Sequence, residues 1–331
     1  MTDRGGRGTV VQRLRARLLA LASRLLVVLP ERPLDAGASA AGELWYRLSP
    51  GRAALGRRNL QRTVGYLAAH GLGGRRVAAA ATNPAALERL LRATFREAAR
   101  YYLDIARLPG RGRADVEQRL HIETPEPVAR AFGEDAPAIF VGMHFGAIEY
   151  PALFAAVRGG RSIRAPMETL DDPALQAWMR RSRGSVGVEI IGLRDARRSL
   201  LAALKEGRPV GLVADRNVAG GTLDVPFFGV PAPLPAGPAF LALESGRPLY
   251  LAAVRRLGNG QYAGRLAPIE TPEDGTRRER LAATTRNVAA AMETALAIAP
   301  EQWWGLLAPI WPDLDPRAAI GTGSLEAEPA A

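Results

Sequence analysis

The sequence predicts an α/β fold, with a largely parallel central sheet flanked by helices and a helical N-terminal region that associates with membrane. Three observations carry this. Residues 137–143 (PAIFVGM), 209–214 (PVGLVA) and 248–255 (PLYLAAVR) are short apolar runs with the length of buried strands. Helix-period segments alternate with them, as a parallel sheet requires. The 331 residues are 47% hydrophobic, ample for one large core, and no Ser-, Gly- or Pro-rich stretch is long enough to be an interdomain linker.

Residues 10–69 read as helices, broken at Ser49-Pro50-Gly51. Within them, residues 18–29 (LLALASRLLVVL) form an apolar run interrupted by Arg24 and preceded by Arg13, Arg15 and Arg17. A spanning helix needs about 20 apolar residues, so this run is too short. A signal peptide fits poorly, because Arg24 interrupts the run and no small-x-small cleavage site follows at Pro30-Glu31-Arg32. An amphipathic helix lying in the bilayer interface is the preferred reading; an ordinary first helix packed on the core is the alternative. Residues 52–69 repeat apolar positions at helical spacing, and residues 70–76 (HGLGGRR) form a loop. Asn83-Pro84 has the form of an N-cap followed by proline at the first helical position, opening a long amphipathic helix that Pro109-Gly110 ends.

Beyond residue 137 the strand runs begin. A helix starts near Ile148, residues 162–165 and 188–191 are further strand candidates, and residues 173–183 and 196–206 are helical. A last strand at residues 261–266 precedes a long helix over residues 277–299. The expected organisation is a helical region over 1–70, an α/β domain over 71–315 and a small, polar, disordered tail over 316–331.

The formal net charge is +11, and nearly all of the basic residues are Arg, with Lys205 the exception. Residues 1–68 hold 12 Arg against Asp3, Glu31, Asp35 and Glu43, so they carry +8 of that charge. Such a basic segment suits a phosphate-bearing surface. Nucleic acid would also want aromatics interleaved as stacking positions, which Trp45, Tyr46 and Tyr66 do not provide; an anionic membrane is the expected surface. The chain has no Cys, which excludes disulfides, thiolate metal sites and a Cys nucleophile and fits a cytoplasmic compartment. There is no nucleophile elbow, phosphate-binding loop, zinc-helix motif or dinucleotide fingerprint, and no metal site is expected.

Only three histidines are present. His70 lies in a basic loop and His121 has no acid clearly placed to orient it. His144 ends the apolar run AIFVGM, the edge of an open α/β sheet where ligands bind. Gly142 and Gly146 flank it, and Glu149 follows in H-F-G-A-I-E. An imidazole, with an ordinary pKa of about 6.5, can take a proton from a hydroxyl, and a carboxylate on its other nitrogen fixes the tautomer. The pair His144 and Glu149 is therefore the candidate catalytic couple. The spacing is not a same-face helical one, so the two can meet only across a turn; a structural histidine beside a surface glutamate is the alternative.

Several blocks resemble the bacterial lipid A biosynthesis (lauroyl/myristoyl) acyltransferases and their phosphatidylinositol mannoside acyltransferase relatives. They are FVGMHFGAIE, RRSRGSVGVEIIG at residues 180–192, GLVADRN, VPFFGVPAPLPAGPAFLALESGRPLYLA at residues 225–252, and PEQWW at residues 300–304. The resemblance implies a glycerolipid acyltransferase-like fold and transfer of an acyl chain from acyl carrier protein or coenzyme A to a lipid hydroxyl, with no other cofactor. It implies His144 as base, Glu149 as its partner and Arg183 holding a phosphate or the acceptor. It places Asp215 at the site edge, binding the acceptor or ordering the arginine. Phe227 and Phe228 would wall the acyl chain, although a tight apolar turn in the core explains them as well. Two departures bear on the acceptor: Ala147-Ile148 stand where the family often has Asn-Trp, and GLLAPIW replaces a basic cluster after PEQWW. The implied location is the cytoplasmic face of the cell membrane, peripheral or monotopic. A non-catalytic, basic membrane-binding protein on the same fold is the competing function.

Overall fold

The structure, a computed structural model, describes residues 10–133, 137–160, 162–218 and 220–315. Five helices come first: α1 (Val10–Val28), α2 (Glu31–Leu48), α3 (Pro50–Ala69), α4 (Gly74–Thr82) and α5 (Pro84–Arg107). The expected cap is present: Asn83 Oδ1 accepts from the Ala85 and Ala86 main-chain N–H groups at 2.9 and 3.3 Å, with Pro84 opening the helix. Next come α6 (Arg113–Arg119), β1 (Leu120–Ile122), α7 (Pro125–Gly133), β2 (Ile139–Gly142), α8 (Tyr150–Gly159), β3 (Ile163–Met167), α9 (Pro173–Gly184), β4 (Val188–Gly192), α10 (Ala196–Lys205) and β5 (Val210–Val213). They are followed by β6 (Thr222–Phe227), β7 (Val230–Pro235), α11 (Gly237–Ser245), β8 (Leu249–Gly258), β9 (Gln261–Ile269) and α12 (Arg277–Leu296).

Seven strands form one sheet in the order β1-β9-β8-β2-β5-β3-β4. The five from β8 to β4 are parallel, as crossover helices between apolar runs require. β9 folds back antiparallel on β8 through Gly258-Asn259-Gly260, and β1 pairs parallel with β9. Alternation along β2 divides the core. Ile139 and Val141 join α10, α11 and α12 on one face, while Phe140 faces α7 and α8 on the other. The β6–β7 hairpin is a separate two-stranded ribbon. Its prolines, Pro226, Pro231, Pro233 and Pro235, withhold ladder donors and suit an edge rather than a sheet centre.

The helical layer shares the sheet's core. Leu60, Val64 and Leu67 of α3 and Leu91 and Phe95 of α5 are buried with Trp303, Leu306 and Trp311 from the last segment. Residue 70, where the helical region is expected to end, lies in the turn between α3 and α4; the expected disordered tail lies outside the described residues. α1 packs by its Leu19 and Ser23 side, Ser23 Oγ donating to the Ala106 carbonyl. Its other side presents Leu14, Leu18, Leu21 and Leu25, each 54–57% exposed. Among the described residues, no helix is long and apolar enough to cross a membrane.

Candidate active site

β2 and β5 are adjacent, parallel and in register, with Gly142 opposite Val213. Two residues past that last pair stand His144 and Asp215, so the register itself sets the imidazole beside the carboxylate. His144 Nδ1 lies 2.7 Å from Asp215 Oδ1, and the His144 main-chain N–H donates to Asp215 Oδ2 at 3.0 Å. The Trp303 indole N–H donates to the same Oδ2 at 2.8 Å. Asp215 is almost fully buried, at 1% exposure. Burial pushes its carboxyl upward, but the charge and ring hydrogen bond of His144, the Trp303 bond and the His144 main-chain bond outweigh that, holding it below the ordinary carboxylate range. An ionised carboxylate only accepts, so Nδ1 carries a proton, and in the neutral ring the lone pair is then on Nε2. Nε2 has no hydrogen-bond partner among the described residues, and the side chain keeps 17% of its exposure. Trp304 stands edge-on to the ring, 4.8 Å between centroids.

The turn after His144 explains where Glu149 goes. Phe145 N–H donates back to the Met143 carbonyl at 2.7 Å, and Gly146 takes φ +49°. Gly146 N–H donates to the Gln302 carbonyl and Ala147 N–H to the Val254 carbonyl, both at 2.9 Å. A side chain at 146 would strike the Val254 carbonyl and Gln302 Oε1, so glycine is required there on two grounds. The chain is thus turned and pinned before α8 begins, with Glu149 at its N-cap. The expectation that Glu149 orients the histidine is corrected on this point. Glu149 Oε1 instead accepts from Arg183 Nε and Nη2 at 2.9 and 2.8 Å, and the carboxylate on the ring is Asp215. The physical reason is that the pinned turn separates the two side chains, while a neighbouring strand delivers an acid directly to Nδ1.

Arg183 is held rather than free. Its Nη2 also donates to the Tyr101 hydroxyl at 3.1 Å. Burial works against its charge, but Glu149 and Tyr101 outweigh this and raise its pKa. Burial also pushes the Tyr101 phenol up to about 12, so it stays protonated. The Glu149–Arg183 pair lines a cavity of about 120 Å³ on the α8 face of the sheet. Its other walls are apolar, including Met143, Phe145, Ile148, Leu212 and Val254. His144 does not itself line this cavity, though both of its chain neighbours do.

Phe227 and Phe228 do not line that cavity; of the two readings the sequence allowed them, they take up the tight apolar turn in the core. They are 0% and 2% exposed and pack with Trp303 and Trp311 at the β6–β7 turn. Two adjacent large aromatics in a tight hairpin are better buried in the core than exposed to an opening. Through Trp303 they brace the indole that holds Asp215. The residues that sequence reasoning missed come from the last segment. Gln302 bonds both main-chain groups of Arg256 at 2.8 Å, fixing the segment to β8. Gly305 lies so close that a Cβ there would strike Asp215 Oδ2 and Trp303 Nε1. The signal was present in PEQWW, but its partners lie too far away in sequence to be read. His121, on β1, is exposed, as is His70, whose Nδ1 lies 2.8 Å from the Tyr66 carbonyl. Among the described residues, no group of three acids or histidines is placed to hold a metal ion.

A family model described as bacterial lipid A biosynthesis acyltransferase matches residues 77–309. The phosphatidylinositol mannoside acyltransferase of Mycolicibacterium smegmatis is 28% identical over 240 residues, covering 70% of this chain and 77% of the relative. A phosphatidylinositol mannoside acyltransferase of Mycobacterium tuberculosis is 28% identical over 173 residues, covering 50% of this chain and 54% of the relative.

Proposed function

The chain belongs to the bacterial lipid A biosynthesis acyltransferase family, and from that premise we propose that it moves a fatty acyl chain from acyl carrier protein or coenzyme A to a hydroxyl of a membrane glycolipid or phospholipid. The similar mycobacterial proteins favour a phosphatidylinositol mannoside-type acceptor over a lipid A-type one. The observation that carries the chemistry is His144: Nδ1 bound to a buried carboxylate, Nε2 unpaired among the described residues, beside an apolar cavity.

In this reading Nε2 removes the proton as the acceptor oxygen attacks the thioester carbonyl. The tetrahedral intermediate collapses with cleavage of the carbon–sulfur bond, and the imidazolium returns its proton to the departing thiolate. Asp215 keeps the ring in the productive tautomer and stabilises the imidazolium. The Glu149–Arg183 pair positions the end of the cavity that receives the thioester, and the acyl chain lies along its apolar walls. The protein acts at the cytoplasmic face of the membrane as a peripheral or monotopic protein. There α1 sets its leucine stripe into the interface, with Arg17 and Arg24 at anionic headgroups.

The test is lipid mass spectrometry of cells carrying wild-type protein, His144→Ala or no protein. The variant is expected to lose acyl incorporation by about 10²-fold or more. Wild-type incorporation by His144→Ala would remove His144 as the base, and wild-type incorporation in cells without the protein would leave only the non-catalytic membrane-binding reading.

A further inference from the structure

We propose that Phe140 divides the apolar space beneath α8 and so sets the length of acyl chain the protein accepts; this rests on the acyltransferase reading above. Beside the 120 Å³ cavity lies a second, half-open one of about 40 Å³, lined by Leu120, Ile122, Val128, Phe132, Phe154 and Leu266 among others. Both spaces are lined by Phe140, Pro151 and Ala252–Val254, so they abut at that point. Phe140 points to this face of β2, while Ile139 and Val141 point to the other.

The phenyl ring is held in place. It stacks on Phe132, a wall of the second space, with centroids 5.5 Å apart and planes 16° from parallel, and Phe132 meets Phe154 edge-on. Toward the end of β2 the floor is small at Gly142 and at Ala252 of the adjacent strand, with Val213 beside Gly142 on β5; Gly211 stands level with Phe140 itself. A chain entering past Glu149 and Arg183 and running over Gly142 and Ala252 meets the aromatic ring. Extending further means entering the second space, whose lining side chains are as apolar as those of the first. A side chain that is bulky, buried and braced at the junction of two apolar spaces limits length by steric exclusion, since a packed interior yields little.

The test uses non-reactive S-alkyl coenzyme A thioethers of increasing saturated length, titrated by calorimetry against wild type, Phe140→Ala and Ala252→Leu. For wild type, affinity is expected to rise about fourfold per buried methylene, then level off at one length. In Phe140→Ala the levelling point moves to longer chains; in Ala252→Leu it moves to shorter ones. Phe140→Leu, which conserves more of the packing, moves it in the same direction as Phe140→Ala by a smaller step and covers the case where the alanine variant does not fold. A levelling point unmoved in folded variants, or no dependence on length in wild type, overturns the assignment. Failure of the underlying reading shows separately, as wild-type protein that transfers no acyl group to any lipid.

Discussion

A buried carboxylate persists as an anion only where donors replace its water, and Asp215 has three. Two of them come from His144 and one from Trp303, so the acid is satisfied and is committed to the ring. Glu149 is equally committed, but to Arg183. The roles of the two acids can therefore be separated. Asp215→Asn should lower the turnover number by about 10²–10⁴-fold, because the amide no longer fixes the tautomer or stabilises the imidazolium. Glu149→Gln keeps an acceptor for Arg183 and should lower turnover by less than about tenfold, with most of its effect in KM. Equal losses in turnover number from the two variants would restore Glu149 as the partner of the base.

Among the elements, the last segment does the most for the site while carrying no reactive group. It bridges the turn after β2 through Phe145 and Trp303 and clasps β8 through Gln302. Gln302→Ala removes two main-chain hydrogen bonds from a buried strand and should destabilise by about 1–3 kcal/mol. Thermal unfolding and turnover should fall together; an unchanged midpoint would show that the clasp is not needed. α1 makes the opposite case. Its outward leucines touch little of the protein, so Leu18→Glu, Leu21→Glu and Leu25→Glu combined should change stability by no more than about 0.5 kcal/mol per site. Under the interfacial reading the same triple variant sediments poorly with anionic vesicles. Retained sedimentation would remove the interfacial role of α1.

Across the whole molecule, ion pairs tie the helical layer to the sheet domain. Glu31 at the start of α2 pairs with Arg111 and Arg119, and Arg256 of β8 pairs with Glu97 and Asp104 of α5. Burial pushes the Glu31 carboxyl up, but the two arginines outweigh it and leave it below its ordinary value of 4.5. A carboxyl lowered by folding contributes stability above its unfolded pKa and loses it as pH falls through the folded one. Glu31→Gln should therefore unfold at a lower temperature than wild type at neutral pH, with the gap closing as pH drops below about 4.5. A gap that stayed constant across that range would mean that the pairing contributes nothing.

Much of this architecture was legible because its signals are local. The apolar run before His144, the cap at Asn83 and the turn residues around each helix act within a few positions, so composition and period report them. The parallel sheet follows from alternating strands and helices, and His144 stands out by its place at a strand end. The β6–β7 hairpin escaped because its prolines read as turn rather than strand. What the sequence could not supply was strand order. That β2 lies beside β5, in register, is a property of the folded sheet, and it alone decides that residue 215 rather than residue 149 meets the imidazole. The same holds for Trp303 and Gln302, whose partners lie 88 and 46 residues away. Local chemistry singled out His144 as the candidate base; which carboxylate meets its ring waited on which strands pack side by side, because hydrogen bonds form between neighbours in space and not along the chain.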